Sequence, residues 1–165
     1  MNVQLEKIAR SDFENYFQLV SNAEVMKMIT TKPLDLEEAK SDFNTLIKKN
    51  ELNPNYGKFK IVNTETNKVL GIAKLEASES NVTAVEIGYM LLPDYWGKGI
   101  ASTMAKLLVE NGKKQNSIKN IIAIIDPENI ASRKILTKNG FALKEHKIID
   151  GLQREVLQLK IGNSN

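Results

Sequence analysis

The 165-residue sequence contains no cysteine. That absence removes disulfides, thiolate metal centres and a cysteine nucleophile, and it fits a reducing compartment. Histidine is almost as scarce. His146 stands alone, so an imidazole pair around zinc is excluded and no metal is expected. Long apolar runs are missing as well. The longest aliphatic stretch covers residues 121–125, far short of the roughly 18 residues that cross a bilayer. The opening Met1-Asn2-Val3-Gln4-Leu5-Glu6 lacks the basic start and apolar core of a secretory signal. Charge imbalance is small: 23 Lys and Arg against 20 Asp and Glu leave a net charge of +3. The resulting pI of about 9.0 is too weak a bias to imply nucleic acid, and no basic stripe with interleaved aromatic residues accompanies it. The pairs Lys48-Lys49 and Lys113-Lys114 fall at the ends of expected helices, where they offset the helix dipole. The expectation is a cytoplasmic protein, monomeric or homodimeric, that binds neither nucleic acid nor membrane.

What is present suits one domain with one core over residues 1–162, followed by a disordered tail at 163–165. Residues 3–9 alternate apolar and polar and read as a strand. Ser11 and Glu14 have the spacing of a capping box, and Phe13, Tyr16, Phe17 and Val20 follow at helical spacing. A second helix starts at Asp35 with Glu38 as its reciprocal cap, carrying Leu36, Ala39, Phe43, Leu46 and Ile47 on one face. Three strands follow at 56–63, 69–76 and 83–92, separated by turns at 64–67 and 78–81, and they read as an antiparallel meander. A helix is expected over 99–114, with Ile100, Met104, Leu107, Leu108 and Asn111 along one stripe. The apolar run 120–125 suits a strand buried on both faces. Residues 129–139 read as a helix capped by Asn129 and ended by Gly140. Two last strands, 141–149 and 153–161, meet at the hairpin signal Asp150-Gly151. The order predicts an α+β, or mixed α/β, domain built on one sheet.

The chemistry concentrates where a strand ends in Pro93, a loop carries Gly97 and Gly99, and a helix begins at once. Such glycines let main chain approach a ligand, and the helix start adds unpaired amides and a positive dipole end. Together these make an anion site for a phosphate or pyrophosphate. A P-loop would need Ser or Thr after Gly-Lys, whereas Lys98 is followed by Gly99. A dinucleotide fingerprint would need a third glycine where Thr103 stands, and a βαβ unit where hairpins are expected.

The segment Trp96-Gly97-Lys98-Gly99-Ile100-Ala101, after Glu86-Ile87-Gly88-Tyr89, resembles the acyl-CoA motif of the GNAT superfamily. In the family pattern Trp96 takes the usual Arg or Gln place, a substitution habitual in the ribosomal-protein N-terminal alanine acetyltransferase branch. A second match, Asn129-Ile130-Ala131-Ser132 with Gly140-Phe141, resembles the family's Asn-x-x-Ser…Gly-Phe segment. The resemblance covers nearly the whole chain. It implies the acyl-CoA N-acyltransferase fold: a central, mostly antiparallel sheet of about seven strands with four helices, strands four and five splayed.

It also implies an N-acetyltransferase that moves acetyl from acetyl-CoA to a primary amine by direct attack through a tetrahedral intermediate. The branch resemblance favours a protein or peptide N-terminal α-amine. A small amine (antibiotic, polyamine or amino acid) and a non-catalytic acyl-CoA-binding module are the alternatives. By the same resemblance, Glu86 takes the proton from the amine, and main-chain amides of Met90, Leu91 and Leu92 hold the thioester oxygen. Trp96, Gly97, Lys98, Gly99, Ile100 and Ala101 border the pyrophosphate. Asn129 bonds the pantetheine arm, and Ser132 solvates the departing sulfur directly or through water. His146 belongs to neither motif and reads as a surface strand residue.

Overall fold

A computed structural model describes residues 2–78 and 81–162. The expected tail at 163–165, and Glu79 and Ser80 of the expected turn, lie outside the described residues. The elements in chain order are β1 (Val3–Lys7), α1 (Phe13–Val20), α2 (Ala23–Met26), α3 (Leu36–Leu52), β2 (Gly57–Asn63), β3 (Val69–Ala77), β4 (Ala84–Leu91), α4 (Ile100–Lys113), β5 (Asn120–Ile125), α5 (Ile130–Lys138), β6 (Ala142–Ile149) and β7 (Leu152–Lys160). Short 3-10 turns occupy Arg10–Asp12 and Pro93–Tyr95. The α+β architecture expected above is present as one seven-stranded sheet in the order β1-β2-β3-β4-β5-β7-β6. The β4–β5 pair is parallel, because the crossover through α4 returns the chain in the same direction. Its register runs from Ala84 opposite Asn120 to Ile87 opposite Ala123, whereas β4 continues to Leu91 and β5 to Ile125. The pairing therefore stops short of the C-terminal end of either strand.

Five α-helices are observed among the described residues where four were expected. The additional one, α2, spans four residues, too few to leave a periodic signature. Its start is nevertheless chemically plain: the Asn22 side chain accepts hydrogen bonds from the amides of Glu24 and Val25. The start of α1 differs as well. No side chain caps α1 at Asp12; instead the Asp12 carboxylate, rather than Ser11, makes the local bond, accepting the Ala9 amide at 2.8 Å ahead of the 3-10 turn. That carboxylate is buried and also receives Lys60 Nζ at 3.0 Å. A charge-assisted bond from a residue 48 positions away selects Asp12, which local spacing could not reveal.

The chain divides into two compact units. One holds the chain up to Lys74 together with Tyr89–Ala101; the other holds Leu75–Gly88 and the chain from Ser102 onward. In the first, Tyr16, Leu19 and Val20 of α1 and Ala39, Phe43, Leu46 and Ile47 of α3 join Ile8, Val25, Met26 and Ile72 in one apolar cluster. The Asp35–Glu38 capping box closes α3 in both directions, at 2.8 and 3.0 Å. Leu36, expected on the buried face, is 44% exposed because it lies in the first turn, before the cluster begins. At the other end of α3 the Lys7 ammonium donates to the carbonyls of Asn50 and Asn53 at 2.8 and 2.7 Å and to that of Tyr56. Three donors thus meet three acceptors at a helix C-terminus, where a cation is favoured. Burial holds the Lys7 pKa below its usual value.

In the second unit, β5 buries Ile121, Ala123 and Ile125 and leaves Asn120, Ile122 and Ile124 half-buried. The expectation of a strand buried on both faces is thus corrected. The α4 side packs closely, for a Cβ on Gly112 would lie 3.0 Å from Ile121 Cδ1 and 3.4 Å from Val85 Cγ2. The half-buried side carries a polar pair, Gln158 Nε2 donating to Asn120 Oδ1 at 2.6 Å. Gly140 ends α5 at φ +92°, and Asp150 and Gly151, at φ +52° and +79°, form the β6–β7 hairpin turn. β6 lies at the sheet edge, and His146 is exposed there.

Tyr16 provides a pH test of the first unit. Burial, and then the negative charge of Asp42, push its phenol up to about 12. A raised pKa means that its stabilising contribution is complete below the unfolded value near 10 and is lost as pH rises through the folded value. Chemical denaturation at pH 8, 10 and 11 is expected to show the stability gap between wild type and Tyr16→Phe narrowing from pH 10 upward. A gap independent of pH contradicts this assignment.

Candidate active site

The first unit supplies two adjoining pieces of main chain, the end of β4 and the loop leading into α4. Trp96 couples them: its Nε1–H donates to the Leu91 carbonyl at 2.9 Å. The indole therefore anchors the loop to the strand while remaining 47% exposed. Beyond it, Gly97 and Gly99 adopt φ +72° and +81°. No heavy atom lies within 4 Å of a Cβ built at either position. Glycine is needed there for backbone conformation and not for want of room, since a side chain costs about 1–2 kcal/mol at such a φ. Left-handed residues flanking Lys98 are the kind of backbone from which anion-binding nests are built. Ile100 then opens a 14-residue helix with its side chain buried. The loop fits a diphosphate on these grounds. Lys98 is exposed, and its ammonium lies 5.9 Å from the Tyr95 ring centroid. Ala101 is half-buried.

At the end of β4, the Leu92 amide donates to the Leu70 carbonyl at 3.0 Å. Of the three expected oxyanion donors, that one is already engaged inside the sheet. Successive residues of an extended strand turn their amides to opposite edges, so the Leu91 N–H faces away from β3, on the side where Trp96 holds the Leu91 carbonyl. Met90 is half-buried against the apolar cluster of the first unit. The close approach on the other edge comes from Gly71, which motif reading passed over. A Cβ on Gly71 would lie 2.1 Å from the Met90 carbonyl oxygen and 3.0 Å from Leu91 Cα. Gly71 sits inside β3, where an isolated glycine signals close backbone approach. Its partner, however, depends on sheet register.

The second unit holds the remaining expected residues. Glu86 lies half-buried in β4, opposite Ile122 of β5. Asn129 caps α5: its Oδ1 accepts the Ser132 amide at 3.1 Å. The structure therefore joins Asn129 and Ser132 directly, as consecutive parts of one helix start. The Asn129 carboxamide retains donor hydrogens on nitrogen for a further partner. Ser132 is half-buried in the first turn.

A glycine loop between a sheet strand and a long helix, with an Asn-capped helix further along the chain, fits an acyl-CoA-dependent transferase. Residues 2–142 match the family described as the acetyltransferase (GNAT) domain, and the chain belongs to that family. It is an acetyl-CoA-dependent N-acetyltransferase. Among curated relatives, an uncharacterized N-acetyltransferase, p20, of Bacillus licheniformis is 30% identical over 138 residues, which cover 83% of this chain and 77% of the relative. The spermidine N(1)-acetyltransferase of Escherichia coli K12 is 27% identical over 164 residues, covering 97% and 86%. Among solved structures, the spermidine N-acetyltransferase of Vibrio cholerae, crystallised with CoA and spermine, superposes with a TM-score of 0.79, covering 96% of this chain and 95% of the other. At 16% identity that likeness is one of fold.

Gly71→Ala tests the strand contact. Because the obstructing atom belongs to main chain, β3 must move away from β4, and overpacking of this kind costs about 1–3 kcal/mol. Thermal unfolding is expected at a lower temperature and turnover is expected to fall, with the variant still folded. Unchanged stability and turnover contradict the close approach.

Proposed function

We propose that this enzyme acetylates a small primary amine of the polyamine type. The geometry of Gly97 and Gly99 ahead of α4 is the observation that carries the donor half of this reading. The acceptor half is supported by the spermidine acetyltransferase relative, whose similarity extends over 97% of this chain. In the proposed reaction the main-chain amides of Gly97, Lys98, Gly99, Ile100 and Ala101 hold the diphosphate of acetyl-CoA, with Trp96 fixing the loop from which they project. The Asn129 carboxamide donates to the pantetheine arm.

An alkylamine with a reference pKa of about 10.4 is almost wholly protonated at neutral pH. Attack therefore requires removal of a proton, which Glu86 accepts directly or through a water. The amine nitrogen bonds to the thioester carbonyl carbon, and the oxygen gains charge that the Leu91 N–H stabilises, the Met90 amide facing the β3 edge as the Leu92 amide does. Collapse breaks the carbon–sulfur bond. The acetamide forms, the second amine proton passes to solvent, and the departing thiolate is solvated by Ser132 or by a water it orients before solvent protonates it.

A second acceptor, the α-amine of a protein N-terminus, is favoured by the Trp96 variant of the glycine motif. That amine has a reference pKa near 8 and needs less help from a base. The two readings separate in one assay. Thiol release from acetyl-CoA is to be followed with spermidine and spermine, with aminoglycosides, and with peptides beginning in Ala, Ser or Met. Turnover on the polyamines is expected, and Glu86→Gln is expected to reduce kcat about 100-fold or more with the KM for acetyl-CoA nearly unchanged. Turnover on peptides alone overturns the small-amine acceptor. Full activity of Glu86→Gln overturns the base.

A further inference from the structure

The loop between β5 and α5 is fastened from both faces of β7. The register that sets Ile125 opposite Glu155 brings the next residue, Asp126, level with Arg154. Arg154 Nη1 donates to Asp126 Oδ2 at 3.1 Å, and both side chains are largely buried, at 9% and 16% exposure. The other oxygen of Asp126 accepts the Glu128 amide at 2.8 Å, which folds the loop on itself as an Asx turn. Glu155, one residue along β7 and so on the opposite face, accepts from Arg133 Nε at 2.9 Å and Nη2 at 2.7 Å. The same Nη2 donates to the Pro127 carbonyl at 2.6 Å. One carboxylate therefore aims a guanidinium, and the guanidinium holds the loop by its main chain. Two residues beyond the held carbonyl lies Asn129, whose side chain receives the Ser132 amide.

We propose that Arg133 and Glu155 are positioning residues for acetyl-CoA, with Arg154 and Asp126 as the second fastening. The pair sets the angle at which Asn129 and Ser132 are presented to the pantetheine arm and sulfur, and it does so through the Pro127 carbonyl. This inference rests on the reading of Asn129 and Ser132 under Proposed function. Helix capping alone does not require the arrangement, because Asn129 meets its own cap partner without Arg133. An ion pair that served stability alone would not need the third bond, from Nη2 to the loop carbonyl, which ties the pair to the segment that carries Asn129.

The test compares Asn129→Ala, Arg133→Met, the double variant Arg133→Met/Glu155→Leu, and Asn129→Ala/Arg133→Met. Kinetics with acetyl-CoA varied and thermal unfolding are measured for each. Arg133→Met strands a buried carboxylate and is expected to lower the unfolding temperature. Replacing both partners by apolar side chains restores much of that loss but not the hold on Pro127. Arg133→Met/Glu155→Leu is therefore expected to unfold near the wild-type temperature with the KM for acetyl-CoA still raised about tenfold, the size of one lost charge-assisted bond. Asn129→Ala is expected to raise the same KM. Its combination with Arg133→Met is expected to be no worse than Asn129→Ala, because one residue acts through the other. A normal KM in the refolded double variant, or full additivity with Asn129→Ala, overturns the positioning role. A normal KM in Asn129→Ala alone, with Arg133→Met impaired, instead overturns the reading of Asn129.

Discussion

Two residues held at positive φ, Gly97 and Gly99, impose the constraint on which the rest of the proposed donor site depends. Main-chain nitrogen binds a diphosphate only where the chain turns successive amides the same way, and ordinary residues resist that turn. The constraint propagates backward. Trp96 ties the loop to the Leu91 carbonyl, so the glycine conformation is referred to the end of β4. There β4 lies against Gly71 so closely that no side chain could intervene. It propagates forward into α4, whose first residue, Ile100, is buried and fixes the helix start. The loop is thus bounded by an indole hydrogen bond on one side and an apolar anchor on the other.

The chain downstream uses a different device for a related purpose. Asn129 and Ser132 sit at a helix start, where the backbone itself dictates their spacing. The loop before them has little apolar character, so its course is set by charge. Buried Arg154 and Glu155 would be costly alone, and each is matched by a carboxylate or guanidinium on or beside the loop. Arg154 and Glu155 are the charged side chains in the buried stretch of β7, beside Val156 and Leu157, and both are spent on the loop.

Much of this was legible in the sequence where the signal was local. The Asp35–Glu38 box, the Asn129 cap with Gly140 as terminator, the Asp150-Gly151 hairpin and the limits of β5 all follow from residues within a few positions of one another, and the structure reproduces them. The glycine loop was legible for the same reason, and its glycines take the positive φ that such a loop needs. What escaped depends on distant partners. The Asp12 carboxylate, and not Ser11, fixes the chain ahead of α1, and it does so beside Lys60. Gly71 matters because Met90 lies across the sheet. The Arg133–Glu155 pair joins residues 22 positions apart. α2 escaped for another reason, since four residues cannot express a helical period. The acceptor also lies beyond local reading, because the glycine motif describes the donor and says nothing of what attacks it.

The most direct measurement is the response of backbone amide resonances to ligand. In 15N-labelled protein titrated with coenzyme A, the amides of Gly97, Lys98, Gly99, Ile100 and Ala101 are expected to move most, while pantetheine, which lacks the diphosphate, leaves them nearly in place. Largest shifts elsewhere, or equal shifts with both compounds, contradict a main-chain grip on the diphosphate.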